Sequence, residues 1–219
     1  MYHLGEYSRV EKSFDDIELV WDLNKLGTFA VLEFCRKRNT KIVYAGSSTK
    51  FGDGGLGRDQ SPYAWTKASN TELVRNYGAW FGLPYAITYF YNVYGPREIS
   101  SGAYATVIGI FKEQARQKKP ITVVSPGTQV RNFTHAEDVV NALVLVGEKG
   151  MGDDFGIGAK ANYSILDIAK MFSKEIEMLP ERAGNRMSSF MDTKKTEELG
   201  WDTEKELVEH IDEFKKNLK

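Results

Sequence analysis

Apolar residues recur at helical spacing from about Asp15 to Arg38, where Ile17, Val20, Trp21, Phe29, Leu32 and Phe34 mark one long predicted helix. Gly27 interrupts this helix without having to break it. The period then changes. KIVYAG, Lys41 to Gly46, is a short β-rich run ending in Gly and Ser, which suits a buried strand feeding a loop. After the Gly-rich segment FGDGGLG, a second helix is predicted with Ser61 as N-cap and Pro62 at its first position, ending near Gly82. PYAITYFY, Pro84 to Tyr91, reads as another buried strand. The remainder predicts a helix to about Lys119, a strand ITVV, a strand near VRNFT, a helix from about Glu137 to Glu148, a short strand FGIG, and helices to the C-terminus. Strands alternating with helices of these lengths predict an α/β fold built on a parallel sheet.

Composition narrows the class. With 219 residues and 42% hydrophobic content, the chain can bury a core as one large domain or two small ones. A net charge of -1, with lysines interspersed among acids, offers no basic field for nucleic acid or an anionic membrane. Cys35 is the only cysteine, which excludes an intrachain disulfide and a Cys-rich metal site and fits a reducing compartment. No run approaches the ~18 apolar residues of a membrane span, and no signal segment follows Met1, so the expected location is cytoplasmic.

Candidate chemistry centres on SPYAWTK, residues 61 to 67. Tyr63 and Lys67 stand four positions apart, on one face of a helix. An ammonium held near a phenol stabilises the phenolate and can make it a base. With 11 tyrosines in the chain, about one such pair is expected by chance, so the pair alone carries little weight. Its surroundings matter more. In a parallel sheet, active residues gather in the loops after strand C-termini. Here those loops carry His3-Leu4-Gly5, Gly46-Ser47-Ser48-Thr49 and Tyr91-Asn92-Val93-Tyr94-Gly95-Pro96. His3 and His135 read as packing or hydrogen-bonding residues, since no carboxylate or cysteine stands at ligand spacing, and no metal is expected.

Taken in order, YAGSSTKFG, SPYAWTK, YNVYGP and GTQVRNFTHAED resemble the extended short-chain dehydrogenase/reductase superfamily, within it the NAD-dependent epimerase/dehydratase family, and most the UDP-glucose 4-epimerase type. MYHLGEYS resembles the family's HLAA strand and loop, and Asn24-x-x-Gly27-Thr28 its N-x-x-G-T. The resemblance covers nearly the whole chain. It implies NAD as cofactor, a nucleotide-sugar (UDP-hexose) substrate, epimerisation at C4 through a 4-keto intermediate, and a homodimer built on a four-helix bundle. Carried over by position, Tyr63 is the base, Lys67 its electrostatic partner and a ribose ligand, and Ser47 the donor to the reacting hydroxyl. His3, Leu4, Gly5 and Asn24 join Tyr63 and Lys67 on the cofactor. Ser47, Ser48, Asn92, Arg131, Arg182 and Asn185 fall at substrate positions, the arginines suited by their planar fork to a pyrophosphate.

Departures from the family pattern refine this. Family dehydratases carry an Asp-Glu or Ser-Glu pair after the serine. Ser48 and Thr49 stand here instead, which favours epimerisation or simple redox over loss of water. A nucleotide-sugar 4-ketoreductase or dehydratase, and a non-catalytic remnant, stay open as alternatives. Glu6 and Tyr7 replace a small and a neutral residue near the path of the cofactor phosphates, where a carboxylate is unhelpful unless it turns away. Relative to the family, the N-terminal β-α-β segment with its Gly-rich turn and ribose acid, roughly 70 residues, is expected to be missing. The expected organisation is an incomplete Rossmann region over 1–95, rejoined by 136–158, and a smaller α+β substrate-binding region over 96–135 and 159–219.

Overall fold

The structure is a computed structural model that describes residues 1–48, 57–90, 92–181 and 192–218. In chain order its elements are β1 (Tyr2–His3), α1 (Ile17–Val20), α2 (Gly27–Arg38), β2 (Ile42–Ser47), α3 (Pro62–Phe81), β3 (Tyr85–Phe90), β4 (Val93–Tyr94), α4 (Val107–Arg116), β5 (Ile121–Val124), β6 (Val130–Asn132), β7 (Thr134–His135), α5 (Ala136–Lys149), β8 (Gly152–Ile157), β9 (Asn162–Ser164), α6 (Ile165–Phe172), β10 (Ile176–Leu179), α7 (Lys194–Glu197) and α8 (Leu207–Lys216).

They divide into two compact units. The first comprises Met1–Phe90, Val140–Ile157 and Ser189–Asp202. Its sheet has the order β1-β2-β3-β8, all pairs parallel. Every residue of β2 is buried, as a central strand covered on both faces requires. β2 is therefore not an edge strand: β1 lies on one side of it, with Tyr2 opposite Val43, and β3 on the other. Leu32, Ile42, Tyr44, Ile87, Tyr89, Phe155 and Ile157 form the buried interior, each large side chain contributing about 1.5–3 kcal/mol of transfer free energy.

The long predicted helix exists, with a feature the periodicity hides. Between α1 and α2, Trp21–Leu26 forms a π-helical turn, and Gly27 lies within continuous helix. The wider turn brings Asn24 fully inside, where its side chain accepts from the Tyr7 amide at 2.7 Å and donates to Thr66 Oγ1 at 2.9 Å. α3 begins and ends where its sequence predicts. Ser61 Oγ accepts from the Ala64 amide at 3.1 Å, Pro62 occupies the first turn, and Gly82 closes the helix at φ 67°.

The second unit comprises Tyr91–Val139, Gly158–Ser188 and Thr203–Lys219. Its core gathers Tyr94, Ile108, Phe111, Ile121, Val123, Phe133, Ile168, Phe172, Leu207 and Ile211. Three two-stranded pairings, β5 with β10, β4 with β7 and β6 with β9, frame it. Two of these strands correct the expectation of helices alone after FGIG. β10 is only four residues long, too short to show a period, and is held by its parallel register with β5; β9 is set by antiparallel pairing to β6. A further difference concerns α7, expected in the substrate-binding region but placed with the first unit. Thr196 Oγ1 donates to the Gly156 carbonyl at 2.7 Å, and Lys195 Nζ to that of Asp153 at 2.6 Å.

Candidate active site

The candidate catalytic groups of the first unit come from β2 and α3. The Ser61 cap starts α3 two residues before Tyr63, so Tyr63 lies in the first turn and Lys67 one turn further along the same face. Ser47 ends β2. The Tyr63 hydroxyl donates to Ser47 Oγ at 3.2 Å, so the two hydroxyls converge although 16 residues separate them. Tyr63 is half-buried, Ser47 and Lys67 nearly fully so.

Lys67 has a partner that the sequence did not show. Its ammonium donates to the Glu6 carboxylate and to the Ala45 carbonyl. The side chains of the ion pair are 7% and 3% exposed. Glu6 Oε1 accepts three more bonds, from Thr28 Oγ1 at 2.9 Å, Asn70 Nδ2 at 2.9 Å and the Tyr44 hydroxyl at 3.1 Å. Burial, and then the neighbouring Glu6, push the Tyr44 phenol well up, so it stays protonated and able to donate. Thr28 spends its only proton on Glu6, and His3 Nε2, 2.9 Å from Thr28 Oγ1, must then carry the hydrogen between them. Burial is the main cause of the lowered His3 pKa, which keeps that imidazole neutral near pH 7. Glu6 therefore turns inward, away from the path that made it look unhelpful. The sequence signal for this was the misplaced carboxylate itself.

The other expected residues divide between the units. Leu4 and Gly5 are exposed just after β1, and a Cβ at Gly5 would meet nothing within 4 Å. Asn24 is fully buried, its amide side chain bonded within the protein. Ser48 directly follows β2. Asn92 and Arg131 belong to the second unit. Asn92 is exposed, has φ 35° and donates to the Asn132 carbonyl at 2.8 Å; Arg131 pairs with Tyr163 across β6 and β9. Thr49, Arg182 and Asn185 lie outside the described residues. Among the described residues, no group of three or more His, Cys, Asp or Glu side chains is placed to hold a metal ion, and no helix is long and apolar enough to cross a membrane.

A parallel sheet that delivers a serine from one strand end, with a tyrosine and a lysine from the next helix, puts the three where open α/β folds of the Rossmann class bind their ligands, at the carboxyl ends of the strands. Residues 1–158 match the NAD dependent epimerase/dehydratase family, and the chain belongs to it. A putative UDP-glucose 4-epimerase of Methanocaldococcus jannaschii is 31% identical over 224 residues, covering 95% of this chain and 73% of that protein. The trifunctional UDP-glucose 4,6-dehydratase/UDP-4-keto-6-deoxy-D-glucose 3,5-epimerase/UDP-4-keto-L-rhamnose-reductase of Arabidopsis thaliana is 28% identical over 221 residues, 91% of this chain; the chain spans 32% of that protein's length. Among solved structures, UDP-glucose 4-epimerase of Thermotoga maritima with UDP-glucose superposes with TM-score 0.90 at 26% identity, over all of this chain and 77% of its own.

The family is NAD-dependent, and the residues present fit the nicotinamide half of that cofactor. An ammonium has three N–H bonds. Glu6 and the Ala45 carbonyl take two from Lys67, leaving one for a ribose hydroxyl. The open backbone at Leu4 and Gly5 provides room after β1.

Proposed function

We propose that this chain belongs to an enzyme that epimerises a nucleotide-linked hexose, a UDP-hexose, at C4. The observation that carries the reading is the 3.2 Å hydrogen bond between Tyr63 and Ser47 beside the anchored Lys67. A substrate hydroxyl entering between the two oxygens would be oriented by Ser47 and give its proton to the Tyr63 phenolate, the form a neighbouring ammonium favours. Bound NAD would take up the hydride from the same carbon and return it. Lys67, held by Glu6 and Ala45, would fix the ribose with its remaining N–H. Leu4 and Gly5 would line the cofactor path, and His3 and Asn24 would hold the wall behind it. Asn92 and Arg131, with Arg182 and Asn185, would serve the nucleotide diphosphate.

Thr49 distinguishes this reading from dehydration, because it stands where the dehydratases' Asp-Glu or Ser-Glu pair carries its glutamate and supplies no carboxyl group there. The Thermotoga maritima structure with UDP-glucose supports the choice of sugar nucleotide. We further propose a homodimer through α2 and α3. Leu26, Phe29, Trp65, Trp80 and Phe81 are 40–61% exposed on these helices and the turn before them, more apolar area than a solvated face normally carries. Val74 and Tyr77 of α3 are buried within the chain and add nothing to that face.

The test is proton NMR, with NAD and UDP-glucose or UDP-galactose, of a protein that joins this chain to the family's N-terminal β-α-β segment. Interconversion of the two sugars is expected. A 4-keto-6-deoxy product would overturn the reading in favour of dehydration, and absence of turnover with any hexose nucleotide would overturn it altogether.

A further inference from the structure

Glu6 is a carboxylate with a 3%-exposed side chain, and such a charge persists only when its lone pairs are filled. Three segments converge on the loop after β1 to fill them. Thr28 comes from α2, Tyr44 from β2, and Asn70 and Lys67 from α3. The titratable groups facing this cluster are His3 through Thr28, Lys25 through its 2.8 Å bond to Asn70 Oδ1, Tyr44 and Lys67, with Tyr63 beside Tyr44. Among the described residues, Lys67 is the one that forms an ion pair with Glu6.

Lys67 has a flexible four-carbon stem and, without a partner, a mobile point charge. Here the carboxylate fixes it against the Ala45 carbonyl, two residues before Ser47 on the same strand. We propose that Glu6 is a positioning residue for the proposed reaction: it clamps Lys67 beneath the Tyr63–Ser47 pair and offsets its charge, so that the site presents one aimed N–H donor rather than a bare cation. The inference rests on the reading above for its catalytic meaning. The ion pair itself does not depend on that reading.

Removing the negative charge leaves Lys67 uncompensated, and the Tyr63–Lys67 pair then releases its first proton at lower pH, whichever of the two gives it up. A charge at this range is worth about one to two pH units. The experiment follows two signals from pH 5 to 10 in wild-type protein, Glu6→Gln and Tyr44→Phe: tyrosinate absorbance at 295 nm, with Tyr63→Phe as the blank, and trace acetylation of Lys67 read by mass spectrometry. In Glu6→Gln, the midpoint of at least one signal is expected to fall by about one to two units. Tyr44→Phe removes one bond to Glu6 and keeps its charge, so its midpoints should stay within a few tenths of a unit. Unmoved midpoints in Glu6→Gln, or an equal shift in Tyr44→Phe, would overturn the proposal. Should Glu6→Gln not fold, Glu6→Asp draws the carboxylate back from Lys67 by one methylene, and the midpoint must then fall, by less than a full charge removal would give. With UDP-glucose and NAD, in a protein that joins this chain to the family's N-terminal β-α-β segment, the acid limb of the kcat/KM profile should move as the midpoint does. If that joined protein turns over no sugar nucleotide, the functional reading falls while the proton measurement still decides the role of Glu6.

Discussion

His210 offers a stability test in the second unit that is independent of any activity. It lies on α8, with Nε2 2.6 Å from Lys112 Nζ of α4, and Lys112 in turn donates to Glu98 at 3.0 Å. The Tyr94 and His135 rings flank it at 5.1 and 5.6 Å. Burial first, then the Lys112 ammonium, then His135, push the His210 pKa from 6.5 to about 4. The neutral imidazole accepts the lysine proton, and a second positive charge there would face Lys112 directly. Because the folded value lies below the unfolded one, the unfolded chain takes the proton first. Stability is therefore full above about pH 6.5 and falls as pH drops towards 4. The whole shift corresponds to about 3.4 kcal/mol. His210 is only half-buried, and solvent screening reduces this to about 1.5–2 kcal/mol. For a chain of this size that is about 3–8 °C in Tm. The assay is thermal unfolding by circular dichroism from pH 7.5 to 4 for wild type and His210→Gln, which keeps an acceptor for Lys112 and does not titrate. The difference between the two curves isolates His210, since other acid-sensitive groups are common to both. A Tm difference independent of pH would refute the reasoning.

Three further outcomes are expected. In a protein that joins this chain to the family's N-terminal β-α-β segment, Tyr63→Phe should lower kcat about 10²-fold or more with little change in KM, measured with UDP-glucose and NAD, and near wild-type turnover would remove Tyr63 as the base. Trp65→Glu should convert a dimer to monomer in sedimentation velocity at micromolar concentration; a monomeric wild-type protein would count against the bundle. Gly46→Ala would bring a Cβ within 2.6 Å of the Tyr89 ring, which is buried and tied to Asp153 at 2.6 Å, so a loss of about 1–3 kcal/mol is expected from denaturant unfolding.

Much of the architecture was legible because it follows from local rules. The period of apolar residues marked α2, α3, β2 and β3, and the Ser61, Pro62 and Gly82 punctuation set both ends of α3, because caps act over three or four residues. The order of short motifs named the strand ends, and the family resemblance they carry grouped Ser47, Tyr63 and Lys67. The π turn at Trp21–Leu26 could not be read, since one residue of extra helical width leaves the apolar spacing nearly unchanged. β9 and β10 were equally hidden, because strands of three and four residues exist only through their partners.

What the sequence determined by itself was the alternation of elements and the residue types offered to the site. The pairing of charges belonged to the tertiary structure. Glu6 and Lys67 are 61 residues apart, and Lys112 and His210 are 98 apart. Neither contact leaves a trace in local spacing. Coulomb attraction and desolvation depend on distance and burial in three dimensions, so the direction in which Glu6 turned was decided only when Thr28, Tyr44, Asn70 and Lys67 converged around it.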